Sequence, residues 1–475
     1  MSQLRNDRHL SVHDLRRRIA EGDLDTVLVA FTDMQGRLQG KRMHAAYFVD
    51  HVLDAGTEGC SYLLAVDVDM NTVDGYAMSN WDSGYGDMEF ALDLATIRLL
   101  PHLPGTAMVQ CDLVTLDHQP VPQSPRTILQ AQLARAAELG YVALAGTELE
   151  FIAFKTPYEE AWSSGYRDLV PLNQYNVDYS VLGTSRAEPL LRTIRNHMYA
   201  AGMDVESAKG ECNLGQHEIG FLYADALTTA DNHAVYKTAA KEIAAQLGMS
   251  LTFMAKYDQR EGNSCHIHLS LRGLDGETVF WGPSTGSGDG GPLPEPGATI
   301  PDPVEGRSKL YDHFLAGLLA TMADFTLLYA PNVNSYKRFS AGSFAPTTIA
   351  WGQDNRTCAL RVVGAGKGAR VENRVPGGDV NPYLALAAMI AGGLHGIEHE
   401  LELPPEFTGN AYTSGLPTVP RTLLQARDAF AGSAVARQVF GDEVVDHYTT
   451  MADVELAAFD AAVTDWELRR GFERM

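Results

Sequence analysis

The sequence predicts an α+β fold with a small N-terminal domain, residues 1–120, and a large C-terminal domain, residues 121–475. The chain has 475 residues, more than one hydrophobic core usually contains, and 45% of them are hydrophobic, as in ordinary globular proteins. Short apolar runs and turns dominate the first part, whereas strands mix with longer helices after the segment 121–125. This change of pattern places the domain boundary at that segment.

The elements of the N-terminal domain follow from local signals. Ser11 suits the N-cap of an amphipathic helix, and the turn Asp33-Met-Gln-Gly36 connects a buried apolar strand to a polar return strand. The predicted elements are a helix over 11–20, a strand over 26–31, a return strand that ends at Arg42, and a strand over 106–116. Residues 71–87 are predicted to be irregular and are rich in glycine.

The C-terminal domain begins with a helix, because Ser124 and Pro125 are a typical cap and first-turn pair and Gly140 ends the pattern. The predicted helices cover 125–139, 188–201, 229–247, 309–329 and 382–398. The predicted strands cover 141–154, 214–223 and 263–271. Residues 282–305 are rich in Gly, Pro and Ser, which predicts a mobile loop.

Acidic residues greatly outnumber basic ones. The chain has 60 Asp and Glu against 37 Lys and Arg, which gives a formal net charge of −23. Nucleic-acid binders need a basic face, and association with anionic membranes needs basic clusters, so the charge argues against both classes of partner. Part of the acid excess can serve metal ions or cationic ligands.

The cysteine pattern and the hydropathy pattern both predict a soluble cytoplasmic protein. The five cysteines are widely spread without a CxxC pair, which favours reduced thiols and argues against a structural zinc cluster. The N-terminal stretch carries charges throughout and lacks the apolar core of a signal peptide. No apolar run reaches the ~20 residues that a membrane helix needs.

Two glutamates share one face of the predicted strand 141–154. Alternate residues of a strand point to the same side, so Glu148 and Glu150 project together while Leu149 and Phe151 face the other way. Neighbouring carboxylates repel each other inside an apolar strand unless a divalent cation holds them together. A solvent-facing polar edge would explain the same pattern, and this segment alone leaves both interpretations open.

Two further segments add possible metal ligands. His266, His268 and Ser270 share a strand face, where paired histidines can bind a metal or contact phosphate, although such pairs also occur on ordinary exposed strands. Glu211 and Glu218 bracket a glycine-containing turn. Several glutamates combined with a histidine suit Mg²⁺ or Mn²⁺ better than structural zinc.

An arginine-dense stretch, 336–374, is unusual in so acidic a chain. Arginine binds carboxylates and phosphates through two parallel hydrogen bonds, and a carboxylate-held metal opposite arginines is the arrangement used in phosphoryl transfer. Scattered surface ion pairs are the alternative, which the interleaved glycines disfavour. Neither a Walker A loop nor a kinase-type glycine loop is present, so a different fold must hold any nucleotide.

Six segments, in order, resemble the glutamine synthetase superfamily of the bacterial type I: GTELEF, GECNLGQHEI, NSCHIHLSL, NSYKRF, NRTCALR and RVENRVPGGDVNPYL. The resemblance covers nearly the whole chain, from the N-terminal strand pair to 381–384. It implies an N-terminal β-grasp domain, a glutamine synthetase catalytic α/β domain and a homododecamer of two stacked hexameric rings. The active sites would lie between neighbouring subunits of a ring.

The resemblance also implies two divalent metal sites. Their ligands are Glu150, Glu211 and Glu218 in one site, and Glu148, His266 and Glu372 in the other. The stretch between Glu211 and Glu218 is one residue shorter than in the typical enzyme, so Glu211 is the ligand that the resemblance supports least.

Further roles are implied by position. Arg338, Arg374 and the backbone at Gly262 would bind glutamate, and Arg356 and Arg361 would stabilise the transferring phosphoryl group. The residues implied for the ATP site are Glu206, His268, Ser270, Lys367 and Arg370. Asp74 of the adjacent subunit would be the base. In the implied reaction, ATP phosphorylates the γ-carboxylate of glutamate and a neutral amine displaces the phosphate. A carboxylate such as Asp74 must take the proton of the attacking nitrogen.

Phe344 departs from the family pattern. Glutamine synthetases have a glutamate at this position, in a loop over the site, where the carboxylate helps to form the ammonium pocket. An aromatic ring cannot accept hydrogen bonds from ammonium, but it offers an apolar or cation–π surface. We therefore predict a γ-glutamylamide ligase that uses a larger amine. A glutamine synthetase that tolerates the change, or a non-catalytic assembly, is the alternative.

The identity of the amine stays open at this point. A polyamine would need an acidic tunnel, a short monoamine such as ethanolamine would suit a pocket partly closed by Phe344, and aniline is compatible with the ring. We favour an aliphatic amine, ethanolamine or a polyamine, in amine assimilation or detoxification. The segment 400–405 lacks the tyrosine that some type I enzymes adenylylate, so this form of control is not expected.

Overall fold

The computed structural model describes residues 9–282, 306–340 and 342–475, which form two β-sheets with helices around them. Five strands form the first sheet, in the spatial order β2-β1-β5-β4-β3. They are β1 (Thr26–Thr32), β2 (Leu38–His44), β3 (Thr57–Cys60), β4 (Asp87–Leu99) and β5 (Thr106–Val114).

The predicted strand pair at the start of the chain is confirmed. β1 runs antiparallel to β2 and parallel to β5. The carboxylate of Asp33 accepts hydrogen bonds from the backbone N–H groups of Gln35 (3.0 Å) and Arg37 (2.9 Å), which fixes the turn between β1 and β2. A local side-chain bond therefore sets this hairpin, which is why it could be recognised from the sequence.

The second sheet contains nine strands, and β6 lies near its centre. The path is β12-β13-β14-β11-β6-β8-β7, and β9 and β10 also pair with β6. The strands are β6 (Tyr141–Phe154), β7 (Val205–Gly210), β8 (Gln216–Phe221), β9 (Ala224–Asp225), β10 (Ser250–Thr252), β11 (Cys265–Gly273), β12 (Trp351–Gln353), β13 (Leu360–Val363) and β14 (Arg370–Asn373).

Helices cover both sheets. The longer ones are Val12–Ala20, Pro125–Glu138, Val181–Ala200, Ala226–Gln246, Lys309–Thr321, Pro382–Glu398, Leu423–Gly432 and Asp442–Ala461. Shorter helical segments are Ala45–Tyr47, Phe48–Val52, Leu53–Ala55, Ser61–Leu64, Tyr158–Ser163, Thr326–Tyr329, Val333–Arg338, Gly366–Gly368, Ala411–Thr413, Ala434–Phe440 and Asp465–Gly471. In the described part of the chain, no helix is both long and apolar enough to span a membrane.

The helix Pro382–Glu398 is the most deeply buried of the longer helices. It begins at Asn381, whose side-chain oxygen accepts a hydrogen bond from the Tyr383 N–H (3.1 Å). Small residues allow it to pack closely against the helix Lys309–Thr321. A Cβ atom on Gly317 would lie only 2.1 Å from the carbonyl oxygen of Gly392, so this close approach requires glycine.

Several predicted boundaries were wrong. The helix predicted from residue 188 begins at Val181, because Ser180 caps it and Pro189 is accommodated inside it. The helix predicted over 309–329 is interrupted after Thr321 and resumes at Thr326. Strand β4 and the helices after residue 420 were missed, and residues 283–305 of the predicted loop lie outside the described part. The predicted domain boundary at 120/121 stays a prediction.

Candidate active site

The register of the second sheet places the predicted metal ligands side by side. Glu148 on β6 is opposite His266 on β11, and Glu150 on β6 is opposite Glu218 on β8. On the far side of β11, His268 is opposite Glu372 of β14. Facing residues of neighbouring strands lie close together, so backbone pairing alone brings these side chains into one region of the sheet.

Three carboxylates form a first cluster, which we call cluster 1: Glu150, Glu211 and Glu218. One oxygen of each lies within 4.8 Å of the others. Glu150 is 6% exposed and Glu218 is 9% exposed. The Glu211 carboxylate also forms an ion pair with Lys209, at the end of strand β7. The structure thus includes Glu211 in the cluster, although the resemblance supports this ligand least.

Glu150 is held in place by neighbouring donors. Its Oε2 accepts hydrogen bonds from the Ser264 N–H (2.7 Å) and from Gln216 Nε2 (3.0 Å). Gln216 Nε2 also donates to the carbonyl oxygen of Gly262 (2.9 Å) and to Asn263 Oδ1 (3.1 Å). This network orients a ligand of cluster 1 before any ion arrives. No role was predicted for Gln216 or Ser264 from the sequence.

Cluster 2 consists of Glu148, His268 and Glu372, with ligand atoms within 4.8 Å of one another. His268 Nε2 lies 2.9 Å from Glu148 Oε1. His266 lies beside the same cluster, with its Nδ1 3.3 Å from Glu148 and 3.7 Å from Glu372. The sequence predicted His266 as the metal ligand and His268 in the ATP site. The structure places both imidazoles at Glu148, so the division of roles between them stays a prediction.

The carboxylates of the two clusters repel one another, so a positive charge between them would stabilise the ionised forms. Burial raises the pKa of Glu218 to about 8, and the negative charges of Glu148, Glu150 and Glu372 contribute to this. Burial also favours the protonated form of Glu148, but hydrogen bonds from His266 and His268 outweigh it and hold the pKa of Glu148 well below its usual range. Buried carboxylates that raise one another's pKa are the donor set that a divalent cation stabilises.

The donor chemistry of the two clusters fits a cation. Cluster 1 offers carboxylate oxygens, and cluster 2 offers carboxylate oxygens with an imidazole nitrogen. His266 adds a second imidazole, whose Nδ1 faces Glu148 and Glu372. Such oxygen-rich donor sets fit Mg²⁺ or Mn²⁺.

Arginines surround Glu372. Arg374 Nη1 forms an ion pair with Glu372 Oε1, and Arg361 Nη1 lies 2.7 Å from Glu372 Oε2. Arg361 also pairs with Asp354, a residue that was not predicted from the sequence. Arg356 lies on the exposed turn after β12, 3.9 Å from Asp354. The structure therefore brings Arg361 and Arg374 to cluster 2, with Arg356 at its rim.

Arg338 is buried beside cluster 1 and is not exposed to solvent. Its guanidinium donates to Ser264 Oγ (2.9 Å) and to the carbonyl oxygens of Val375 (2.8 Å) and Arg374 (3.2 Å). Burial lowers the pKa of Arg338 to about 10. Gly262, predicted near the glutamate, lies against it, and a Cβ there would be 3.1 Å from Arg338 Cγ.

The residues predicted for ATP are arranged along the neighbouring strands. Arg370 Nε lies 3.1 Å from His268 Nδ1, and Arg370 Nη1 donates to the Gly368 carbonyl (3.1 Å). Ser270 lies one alternate position beyond His268 on β11, and the exposed Lys367 belongs to the turn before β14. Glu206 is exposed on the edge strand β7, near Gly220.

Asp74 and Phe344 lie on exposed segments. Asp74 is exposed, and a Cβ on the adjacent Gly75 would lie 3.2 Å from Thr450 of the helix Asp442–Ala461. Phe344 is 58% exposed and has φ +55, a left-handed backbone conformation that is rare for an aromatic residue. Its carbonyl oxygen accepts a hydrogen bond from Arg374 Nη2 (3.4 Å). The loop of Phe344 is thereby tied to the arginine at cluster 2.

The mixed α/β fold thus carries two glutamate clusters that could hold cations, and arginines lie beside them. A family model, "Glutamine synthetase, catalytic domain", matches residues 122–290 and 298–471. The chain belongs to the glutamine synthetase family, and the resemblance and the mixed α/β fold predicted from the sequence are confirmed. Membership implies use of ATP and of divalent cations in general.

Individual relatives extend this result. The chain is 62% identical over 466 residues to gamma-glutamylethanolamide synthetase GlnA4 of Streptomyces coelicolor, covering 98% of this chain and 96% of that protein. It is 36% identical to glutamate–isopropylamine ligase of a Pseudomonas species, covering 99% of each. A solved structure of a GmaS/ADP complex superposes with a TM-score of 0.81 at 28% identity, covering 97% of this chain and 99% of that chain.

Proposed function

We propose that this protein joins ethanolamine to the γ-carboxylate of glutamate, using ATP and releasing ADP and phosphate. The coarser prediction from the sequence, an ATP-dependent glutamate–amine ligase rather than a plain glutamine synthetase, is confirmed by the two amine-ligating relatives. The observation that carries the choice of amine is Phe344, beside Arg374, where the family has a carboxylate for ammonium. The 62% identity to an ethanolamide synthetase supports ethanolamine.

The two clusters are proposed to hold two divalent cations, Mg²⁺ or Mn²⁺. Cluster 1 offers three carboxylates, and Glu148, Glu372 and one of the two histidines offer a second donor set. When bound, the cations neutralise the phosphate charge of ATP. The protein's part is to keep these donors in place, which Ser264 and Gln216 do for Glu150.

The arginines supply fixed positive charge on the other side. Arg361 and Arg374 are already anchored on Glu372, so their charges need little reorganisation when negative charge develops nearby. Arg338 and Arg374 are proposed to hold the carboxylates of glutamate. The attack of the γ-carboxylate on ATP gives γ-glutamyl phosphate, and the amine then displaces phosphate from it.

The amine must lose a proton when it attacks. Asp74 is proposed as the base, supplied by the adjacent subunit, because a neutral nitrogen is required for attack. In its own chain Asp74 lies near the helix Asp442–Ala461, which contributes no ligand to either cluster. This placement supports a role in a neighbouring site. The proposed assembly is a homododecamer of two hexameric rings in the cytoplasm, with glutamate and a small amine as partners.

A comparison of amines tests the proposal. Phosphate release and product mass are measured with ATP, glutamate and Mg²⁺, using ammonium, ethanolamine, putrescine, spermine and aniline as separate nitrogen donors. We expect γ-glutamylethanolamide as the preferred product, with ammonium poorer by about tenfold or more in kcat/KM. Ammonium as the best substrate would sink the argument from Phe344. A polyamine as the best substrate would replace ethanolamine, and no turnover with any amine would favour the non-catalytic assembly.

A further inference from the structure

Lys209 lies at the edge of cluster 1, and the proposed reaction gives it no role. In the register of the second sheet, Lys209 on β7 is opposite Glu218 on β8, and Glu218 is in turn opposite Glu150 on β6. Facing residues of neighbouring strands lie close together and project from the same side of a sheet. The lysine and these two carboxylates of cluster 1 therefore form one row across the sheet.

The ammonium group of Lys209 contacts the third carboxylate of cluster 1 directly. Lys209 Nζ forms an ion pair with Glu211 Oε1, and the two side chains are only 25% and 14% exposed. Arginine and histidine supply nearly all other ion pairs of the described residues, so a lysine paired with a candidate metal ligand is unusual here. The three carboxylates repel one another, and the charge of Lys209 offsets part of this repulsion.

A second environment for the ammonium group is adjacent. Lys209 Nζ lies 4.9 Å from the centroid of the Tyr179 ring, within the range of a cation–π contact. Asp178 forms a group with Glu211 and Cys212 in which one possible ligand atom of each lies within 4.8 Å of the others. Cys212 Sγ also lies 3.7 Å from Asp178 Oδ2. A carboxylate and an aromatic ring outside cluster 1 are therefore within reach of the lysine side chain.

The backbone fixes this second environment relative to the first. The Tyr179 N–H donates to the carbonyl oxygen of Gly210 (3.4 Å). A Cβ atom on Gly210 would lie only 2.2 Å from the carbonyl oxygen of Val177, so the close approach of the two segments requires glycine. Because Gly210 directly follows Lys209, the segment of Tyr179 rests on the part of β7 that carries the lysine.

A divalent cation in cluster 1 would compete with Lys209 for Glu211. Mg²⁺ lies about 2.1 Å from its ligand oxygens, so an ammonium group on the same carboxylate would be a close neighbour of like charge. Such charges repel strongly at short range in a partly buried site. Binding of the ion therefore favours a lysine side chain that has left Glu211.

We propose that Lys209 is an internal cation that pairs with Glu211 in the absence of the divalent ion and moves to Asp178 and the Tyr179 ring when the ion binds. The pair holds Glu211 at cluster 1 before the ion arrives, but it must be broken on binding, which lowers the affinity for the ion. The inference rests on the metal site of the proposed function and deepens it, because it names a residue that sets the affinity of that site.

The test measures Mn²⁺ binding to the full chain without ATP or glutamate, from the electron paramagnetic resonance signal of free Mn²⁺. In Lys209→Met we expect the dissociation constant of one bound Mn²⁺ to fall about 3- to 10-fold, because the ion no longer displaces an ammonium group from a partly buried pair. Lys209→Gln should act in the same direction. Lys155→Met, which removes an exposed lysine just after β6, is the matched control and should leave the constants unchanged.

Asp178→Asn tests the second position of the ammonium group. Because the displaced lysine then lacks a charged acceptor, the dissociation constant for Mn²⁺ should rise about 3-fold. The same change in a Lys209→Met chain should have little effect, since no ammonium group needs a new partner. Equal effects of Asp178→Asn in both chains would assign Asp178 to the ion itself and overturn the proposed movement, and so would the absence of an effect in either.

The failure of this inference differs from the failure of the proposed function. If wild-type protein binds no Mn²⁺ that Glu150→Gln removes, the proposed metal site itself is wrong. If it binds such an ion, and folded Lys209→Met and Lys209→Gln bind it with unchanged or lower affinity, only the inference is overturned, because Lys209 then does not compete with the ion. Thermal denaturation shows whether each variant is folded.

Discussion

At the scale of single residues, Phe344 combines an exposed aromatic ring with a left-handed backbone. A φ of +55 is unfavourable for a bulky side chain and persists only where the surroundings impose it. The hydrogen bond from Arg374 to the Phe344 carbonyl is one contact that holds this conformation. This conformation lies at the position where the chain departs from the family pattern.

Replacing Phe344 by glutamate should restore an ammonium-binding group. The carboxylate can accept a charged hydrogen bond from ammonium, so we expect the ratio of kcat/KM for ammonium over ethanolamine to rise about tenfold or more. The measurement is phosphate release with each nitrogen donor at saturating glutamate and ATP.

Phe344→Leu is the control for this prediction, because it removes the ring without adding charge. It should weaken the use of ethanolamine and leave ammonium no better than in wild-type protein. If Phe344→Leu improves the use of ammonium as much as Phe344→Glu does, the effect is one of space rather than of charge, and the reasoning from the missing carboxylate is wrong.

At the scale of strands and helices, the parts predictable from the sequence were those with local signals. The strand Tyr141–Phe154 and the helix Pro382–Glu398 were predicted with their observed bounds, because apolar stretches on both sides of Glu148 and Glu150 mark the strand and a cap-plus-proline signal marks the helix. β4 was missed because residues such as Glu89 and Asp93 interrupt its apolar pattern. Its strand character depends on pairing with β5, a long-range contact without a local signal.

The same reasoning applies to the site. Glu148 and Glu150 were identified because the two-residue period of a strand places them on one face. Pairing across β6, β8, β11 and β14 then decides which residues meet, and sequence periodicity does not contain that register.

A buried charge network joins the first sheet to the helices Pro125–Glu138 and Ala226–Gln246. Arg126, 2% exposed, donates to Asp231 (3.0 and 3.1 Å), to Asp112 on β5 (2.5 Å) and to Asp93 on β4 (2.7 Å). The hydroxyl of Tyr383 also donates to Asp231 (2.7 Å). The helix Pro125–Glu138 thus carries the cation that neutralises acids of the first sheet and of the helix Ala226–Gln246.

Arg126→Met should therefore destabilise the protein strongly. Removing the cation leaves Asp231 buried next to two further acids, and loss of one partner of a buried pair costs about 3–5 kcal/mol. We expect a clear fall in the melting temperature and in the urea midpoint. Arg135→Met on the same helix is the matched control, because its ion pair with Glu398 is partly exposed and should contribute less than about 1 kcal/mol. Equal effects of the two changes would contradict the proposed importance of the network.

At the scale of the whole molecule, 60 acidic residues outnumber 37 Lys and Arg, yet several arginines are concentrated at one place. Arg338, Arg361 and Arg374 lie together beside the two carboxylate clusters. These arginines offer fixed positive charge to substrate phosphates and carboxylates beside the two glutamate clusters, while the acid excess of the surrounding surface favours the approach of a cationic amine. This distribution of charge suits ATP and glutamate, which are anions, and an amine, which is a cation in solution.

The proposed base, Asp74, makes a prediction about the assembly. If Asp74 serves the site of a neighbouring subunit, Asp74→Asn and Glu148→Gln chains should each be inactive alone. Mixed oligomers should regain activity, because a site can combine the intact Glu148 of one chain with the intact Asp74 of the next. Random 1:1 mixing in a closed ring predicts recovery of about a quarter of the wild-type sites. The two chains are co-expressed with different tags, purified through both tags and assayed for phosphate release with ethanolamine.

A double variant supplies the control for this experiment. Chains carrying both changes, mixed with Glu148→Gln chains, contain no intact Glu148 and should remain inactive. Mixed oligomers of the two single variants that are no more active than either parent would place Asp74 in the site of its own chain. An active Asp74→Asn protein would remove Asp74 from the chemistry altogether. Recovery near a quarter would instead require each functional site to be built from two subunits, because no single chain in the mixture carries both groups.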